Sequence, residues 1–176
     1  MNNNAIAFTA LSREFCSIVE DSMQLSVLKY TEQVLRLLPR IYISAFDLKT
    51  DIDYAVDDSE AWLEQSLTEA QYNSIRNNIA VLYGEYDVYL EVFEEDMKYS
   101  DTPVATSISE NLADIYQALY DFLNAVKLAT DDVADEALRA VRYSFREYWS
   151  STLCNVLRAL NHLWTSEVLG EGDDDM

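Results

Sequence analysis

Residues 137–151 read ALRAVRYSFREYWSS, and the spacing of the arginines in this stretch fits one face of a helix. Arg139, Arg142 and Arg146 stand at i, i+3 and i+7, so a turn of about 100° per residue places them on the same side. That side becomes apolar further along the chain, through Leu153, Leu157 and Leu160. We therefore predict a long helix whose arginines border a packed contact.

The rest of the chain repeats this helical pattern. Only three glycines and two prolines interrupt the 176 residues, and apolar side chains recur about every 3.6 residues. The pattern predicts an all-α fold: a single-domain bundle of about five to six helices over residues 1–169, with a disordered acidic tail over 170–176. The last helix is predicted to run to Val168, as one long helix or as two nearly collinear ones.

Individual residues predict where helices begin, end or bend. Pro39 removes a backbone donor, which predicts a kink or a break in the second helix. Thr68 is a predicted N-cap, and Gly84 is expected to weaken or end the helix that it opens. A Ser-x-x-Glu signature at Ser107 opens another helix. The stretch EYDVYLEVFEEDMKYSDTPV at residues 85–104 alternates like a strand, but a single strand has no partner, so we predict a distorted helical turn followed by a loop.

The composition is strongly acidic. Thirty-two acidic and 12 basic residues give a formal net charge of -20 and a pI near 4.1. This charge argues against direct contact with nucleic acid or a membrane surface, since both need a basic patch. No signal peptide or long apolar run is recognisable, and Cys16 and Cys154 are too isolated for a zinc motif or an evident disulfide framework. We therefore predict a cytoplasmic protein.

Recognisable catalytic and metal-binding motifs are missing from the sequence. His162 is the only histidine, which excludes zinc and di-iron sites built on histidine pairs. Cys154 precedes it by about 12 Å of helical rise, too far for a nucleophile and its base. A calcium loop starting at Asp51 would need glycine and glutamate where Val56 and Trp62 stand. The sequence predicts no catalytic residue, no metal and no cofactor.

Twelve tyrosines are more than a chain of this length usually carries. Tyrosine has a large apolar ring and a polar tip, which suits both packing between helices and binding surfaces. Packing is the simpler interpretation. The functional alternative is a groove lined by Tyr86, Tyr89, Phe93, Tyr143 and Trp149.

Two carboxylates could meet the arginines across a helix hairpin. Asp114 and Asp121 are seven residues apart on one predicted helix, with the small Ala118 between them. We predict a structural ion-pair cluster in which Asp114 or Asp121 pairs with Arg142 or Arg146. Removing one partner of a buried pair costs about 3 to 5 kcal/mol, whereas removing one partner of an exposed pair costs less than about 1 kcal/mol.

Three segments resemble a bacterial family of unknown function. The runs ENLADIYQAL, AVRYSFREYWSS and LRALNHL are similar to motifs of the family called domain of unknown function 5063: an acidic-LADIY-x-x-L motif, then W-R-F-S-F followed by H-W-G-x-H, then L-R-A-L. The resemblance implies an all-helical protein, in a family without an established activity. The two histidines of the family pattern fall at Tyr148 and Thr152, so no metal or acid–base role is carried over from them. Matching residues include Asp114, Arg142, Ser144 and Trp149.

Three kinds of function remain open from the sequence. A non-catalytic interaction or regulatory module with a protein partner agrees best with the missing motifs. The first alternative is an acidic decoy that imitates nucleic acid and occupies a basic partner. The second is a small-molecule binder or enzyme that uses carboxylates such as Asp114 or Glu91 in a tyrosine-lined pocket. A carboxylate of strongly raised pKa in such a pocket would favour this last function.

Overall fold

The computed structural model describes residues 2–49, 62–90 and 104–170. Within these ranges the chain forms six α-helices, which confirms the predicted all-α class; they are α1 (Asn3–Glu20), α2 (Val27–Phe46), α3 (Glu69–Tyr83), α4 (Ile108–Val126), α5 (Asp131–Ser144) and α6 (Ser150–Thr165). Short 3-10 helices occupy Ser22–Gln24 and Gly84–Tyr86. Several residues discussed in the sequence analysis lie outside the described residues. They are Asp51, where the rejected calcium loop would start, Glu91, Phe93 and residues 171–176 of the predicted acidic tail.

Helix α4 is the centre of the bundle. It packs against α1, α3, α5 and α6. Its apolar stripe of Leu112, Ile115, Leu119 and Phe122 is fully buried, as the helical spacing predicts. Phe122 contacts Phe8 of α1, with ring centroids 5.2 Å apart. Burying side chains of this size stabilises the fold by about 1.5 to 3 kcal/mol each, so α4 supplies much of the core.

Helix α2 continues without a break through Pro39. Buried side chains on either side of the proline, Leu37, Leu38 and Ile41, hold the helix in the core, while Pro39 itself is exposed. Because proline has no N–H, the carbonyl of Leu35 has no helical donor at this position. Of the two predicted alternatives, a kink or a break, the break is wrong because packing on both sides keeps the helix continuous.

A two-stranded antiparallel sheet precedes α4. Strand β1 (Val88–Leu90) pairs with β2 (Ala105–Ser107), and Tyr89 lies opposite Thr106. The predicted stretch begins with a short 3-10 turn at Gly84–Tyr86, but the prediction that it contains no strand is wrong. The partner strand is a short Ala-Thr-Ser segment next to α4, and it lacks the apolar alternation by which a sequence marks a strand.

The predicted capping residues are confirmed at two helix starts. The Thr68 Oγ1 accepts a hydrogen bond from the Gln71 backbone N–H at 3.3 Å, and the Gln71 Oε1 accepts one from the Thr68 N–H at 3.0 Å. The Ser107 Oγ accepts from the Glu110 N–H at 3.1 Å. Gly84 ends α3 with a φ of 55°, in the left-handed region that favours glycine.

The long C-terminal helix is confirmed as a continuous helical run of 35 residues from α5 to α6. Its middle, Phe145–Trp149, is a π-helical turn, which the sequence pattern did not predict. A π turn holds more residues than an α turn, so constant helical spacing does not extend across it. The three arginines consequently differ in exposure: Arg139 and Arg142 are half-buried, whereas Arg146 is exposed.

We expect the cap at Thr68 to contribute measurably to stability. Thr68→Ala removes the acceptor for the Gln71 N–H and should lower the free energy of unfolding by about 1 kcal/mol. Thr130, the N-cap of α5, makes no side-chain capping bond and serves as the matched control. Thr130→Ala should cost less than about 0.5 kcal/mol. Urea titrations of both variants measure the difference, and equal losses would contradict the capping role.

Candidate functional site

A cleft of about 540 Å³ lies between α4 and the helical run that follows it, and we call it the α4–α5 cleft. Ala118 of α4 and Ala140 of α5 line it, and their small side chains leave room between the helices. Trp62 and Leu63, which precede α3, form another wall. The remaining lining residues are polar or aromatic: Asp114, Gln117, Asp121, Tyr143, Ser144, Tyr148, Trp149 and Thr152.

Asp114 is the cleft carboxylate that lies nearer the start of α4. Its Oδ1 accepts a hydrogen bond from the Tyr72 hydroxyl of α3 at 2.6 Å. Partial burial raises the pKa of Asp114, and the negative charge of Glu110 one turn earlier adds to the increase, while the Tyr72 hydrogen bond opposes it. The side chain of Asp114 is nevertheless exposed, so a cation from solvent can reach the carboxylate and favour its ionised form.

Asp121 is the second cleft carboxylate and is largely buried. Its Oδ1 accepts from the backbone N–H groups of Ser66 and Leu67, at 2.8 and 2.9 Å. Burial raises the pKa of Asp121, and these two backbone hydrogen bonds oppose the shift. The residue thus fixes the segment before α3, which carries Trp62 and Leu63 to the cleft.

Trp149 brings an unpaired hydrogen-bond donor to the cleft wall. Its ring is 3% exposed and packs edge-on against Phe145, with centroids 4.5 Å apart. The π turn places both rings in the core. Within the described ranges the indole Nε1 has no hydrogen-bond partner, and such buried donors are uncommon in folded proteins.

The charged side chains that line the cleft within the described residues are both acidic. They are Asp114 and Asp121, and no lysine or arginine of that part of the chain lines the cleft. At the outer side, Trp62 is 71% exposed and Tyr148 is 67% exposed. The cleft therefore combines two carboxylates with solvent-accessible aromatic rings, an arrangement that suits a cationic group.

The predicted ion-pair cluster places its members on facing helices. The hydrogen bonds described for its two carboxylates come from groups other than the arginines. Asp114 accepts one from Tyr72, and Asp121 accepts two from backbone N–H groups. Arg142 is half-buried and Arg146 is exposed. Pairing of either arginine with Asp114 or Asp121 stays a prediction.

The residues of the predicted tyrosine groove lie in two places. Tyr143 and Trp149 line the α4–α5 cleft. Tyr89 lies in β1, where its hydroxyl accepts a hydrogen bond from the Asn111 side chain. Tyr86 belongs to the short helix just before that strand, and Phe93 lies outside the described residues.

Sequence reasoning missed several residues of the cleft. Asp114, Gln117 and Asp121 stand at i, i+3 and i+7 and so form a polar stripe on a largely buried helix. This stripe could have indicated that Gln117 lines the same cleft as the two carboxylates. The sequence around Tyr72 and Trp62 does not predict that these residues lie near α4, because only the folded structure brings them there.

The described ranges contain neither a metal-ligand cluster nor a membrane-spanning helix. In these ranges no three His, Cys, Asp or Glu side chains are grouped as metal ligands. No helix there has both the length and the apolar character of a membrane span. His162, the only histidine, is exposed on α6 and does not line the α4–α5 cleft.

Comparison with protein-family models matches residues 1–166 to the family described as Domain of unknown function (DUF5063). This match confirms the resemblance inferred from the three sequence motifs. Among solved structures, the chain is similar to protein BF1032 from Bacteroides fragilis, a structural genomics target. The two share 28% sequence identity and a TM-score of 0.77 over 92% of each chain. Comparison with curated proteins finds no match.

Asp121 is expected to stabilise the fold through its two backbone acceptor contacts. Asp121→Ala leaves the Leu67 N–H buried without a partner and should lower the free energy of unfolding by about 1 to 3 kcal/mol. Asp121→Asn keeps an oxygen acceptor of the same shape and should retain most of the stability. Chemical denaturation of both variants distinguishes them. If the alanine and asparagine variants are equally stable, the anchoring role is wrong.

The raised pKa of Asp114 predicts a pH-dependent stability difference. The pKa of Asp114 is higher in the folded protein than in the unfolded chain. Protonation of Asp114 therefore stabilises the folded state fully when the pH is below the unfolded pKa. This stabilisation is lost as the pH rises through the folded pKa. Asp114→Asn stays neutral, so the melting temperature of the variant relative to wild type should increase from pH 3 to pH 7.

Tyr72→Phe supplies the matched control for this melting series. It removes the hydrogen bond that lowers the pKa of Asp114, so the pH dependence attributed to Asp114 should move to higher pH. A melting-temperature difference between Asp114→Asn and wild type that does not change with pH would contradict this electrostatic account.

Proposed function

The chain belongs to the DUF5063 family, and from that premise and its cleft we propose a non-catalytic cytoplasmic interaction module that recognises a cationic side chain of a protein partner. The observation that carries the proposal is the lining of the α4–α5 cleft. Two carboxylates and several aromatic rings line the same cleft, and among the described residues that line it there is no lysine or arginine.

A guanidinium or ammonium group matches this lining chemically. Asp114 is partly desolvated and its pKa is raised, so a cation recovers electrostatic stabilisation that solvent supplies incompletely. Aromatic faces attract cations, with about 0.5 to 2 kcal/mol for each favourable contact. Arginine in particular can pair with a carboxylate and stack on a ring at the same time.

The outer side of the cleft favours a protein partner over an isolated small amine. Trp62 and Tyr148 are exposed side chains of the types enriched at protein interfaces. A net charge of -20 would also steer a basic partner toward this surface.

A non-catalytic role is supported by the chemistry of the lining. The chain's single histidine is not part of it, and neither cysteine is. Asp121 already accepts two backbone hydrogen bonds. Asp114 is therefore the principal charged contact that we assign to the partner.

The proposal is tested with a short peptide that has capped termini and one arginine. We expect it to shift the NMR signals of the Trp62 and Trp149 indole N–H groups, while Trp164, which does not line this cleft, stays unchanged. Asp114→Asn should weaken binding about tenfold, the loss of about 1.4 kcal/mol. Affinity should also fall as pH decreases through the raised pKa of Asp114, because the protonated acid carries no charge.

Two controls make this experiment decisive. Glu136→Gln changes the same charge at an exposed position of α5 outside the cleft and should leave affinity unchanged. A peptide with glutamine in place of arginine should not bind. Equal binding of the two peptides, or unchanged affinity of Asp114→Asn, would refute cation recognition. If butylguanidinium binds and the arginine peptide does not, the cleft recognises a small cation, and the proposal of a protein partner would be refuted.

A further inference from the structure

A second cleft lies between α2 and α6, and we call it the α2–α6 cleft. Its volume is about 690 Å³, and it shares no lining residue with the α4–α5 cleft. Both helices contribute apolar walls: Leu35 and Pro39 come from α2, and Leu157 and Trp164 come from α6. Clefts of about 300 to 1,000 Å³ with mainly apolar walls are typical of small-molecule sites.

The polar side chains of this cleft are unusual for the chain. Arg36 of α2 and Arg158 of α6 both line it, and Glu32 is the one acidic side chain among the described residues of its lining. The charged side chains in that described lining thus sum to one positive charge, on a protein whose net charge is -20. Two arginines on one cleft favour an anionic ligand there.

The two arginines differ in how firmly they are held. The Arg158 Nη2 donates a hydrogen bond to the Leu90 carbonyl at 2.6 Å. Its guanidinium carbon also lies 5.8 Å from the centre of the Tyr89 ring. Arg158 is therefore oriented from β1 before any ligand arrives, which reduces the entropy lost on binding. Arg36 is exposed on α2, so a ligand can reach its guanidinium group.

A neighbouring cavity of about 720 Å³ adjoins the cleft at Glu32 and Trp164. Its other lining residues are Leu28, Thr165, Glu167 and Gly170, so it is more polar and more acidic than the α2–α6 cleft, and the apolar contact lies at Trp164. Trp164 is 46% exposed, although its ring could bury a large apolar area. A ligand that covers this ring removes apolar surface from water, which stabilises the complex.

We propose that the α2–α6 cleft binds an amphipathic carboxylate, with its apolar chain against Leu35, Pro39, Leu157 and Trp164 and its carboxylate on Arg36 and Arg158. The apolar walls select the chain, and the two guanidinium groups select the anionic head. Guanidinium is well suited to this head because it matches a carboxylate with paired N–H donors. This site is independent of the proposed cation recognition in the α4–α5 cleft.

Cys154 provides a direct measure of occupancy. It lines the α2–α6 cleft and is exposed, whereas Cys16 is buried and burial raises its thiol pKa far above the usual value. A maleimide should therefore modify Cys154 first, and a bound ligand should slow that reaction. The probe is decanoate, and decanol is the uncharged control with the same chain. Mass spectrometry after timed labelling gives the concentration that protects half of Cys154.

We expect decanoate to protect Cys154 at concentrations at least tenfold lower than decanol. Arg36→Gln should raise the half-protecting decanoate concentration about tenfold, since it removes a charged hydrogen-bond donor. Arg40→Gln is the matched control, because Arg40 is exposed one turn further along α2 and does not line the cleft. It should leave protection unchanged.

Three results would overturn this site assignment. Decanoate could fail to protect Cys154 at saturation, or decanol could protect it equally well, which would show a plain apolar groove. Equal effects of Arg36→Gln and Arg40→Gln would show that the chain's overall charge, rather than the cleft, governs binding. Asp114→Asn should leave decanoate protection intact, so failure of one cleft is distinguishable from failure of the other.

Discussion

Helix α4 packs against four other helices, so its polar side chains must find hydrogen-bond partners inside the protein. An unpaired buried polar group costs about 1 to 3 kcal/mol, which makes those partners a strict constraint on the surrounding chain. The structure meets it at four buried side chains of α4, Ser109, Asn111, Tyr116 and Asp121, and the exposed Asp114 has a partner as well. The pairs are Ser109 with Asp87, Asn111 with Tyr89, Asp114 with Tyr72, Tyr116 with Glu20, and Asp121 with the Ser66 and Leu67 backbone.

These same contacts shape the α4–α5 cleft. Asp121 fixes the segment that carries Trp62 and Leu63, and Asp114 receives the Tyr72 hydroxyl from α3. Ala118 and Ala140 keep the facing helices from filling the space. The result is a pair of carboxylates with raised pKa values beside aromatic rings. Desolvation disfavours the ionised form of Asp114, and a bound cation would offset part of that cost.

Features that depend on local spacing were predictable from the sequence. The stripe of Leu112, Ile115 and Leu119, and the caps at Thr68 and Ser107, follow from helical period and backbone chemistry, which act over a few residues. Features that depend on a distant partner were not predictable. Strand β1 forms because Ala105–Ser107 pairs with it, and that partner is distant in the sequence. The π turn at Phe145–Trp149 rotates the side chains that follow it relative to the face predicted from constant α-helical spacing. The cleft joins residues from segments far apart in the chain. Of its lining residues, the sequence analysis named Asp114 and Asp121 for an ion-pair cluster, and Tyr143 and Trp149 for a tyrosine groove.

Native-state hydrogen exchange of α4 tests the central role of this helix most directly. If the bundle depends on α4 and its hydrogen bonds, the amides from Leu112 to Leu119 should exchange only through global unfolding. Their opening free energies should then equal the free energy of unfolding obtained from denaturant titration. Opening free energies well below the global value in α4, with slower exchange in α1 or α2, would contradict the account.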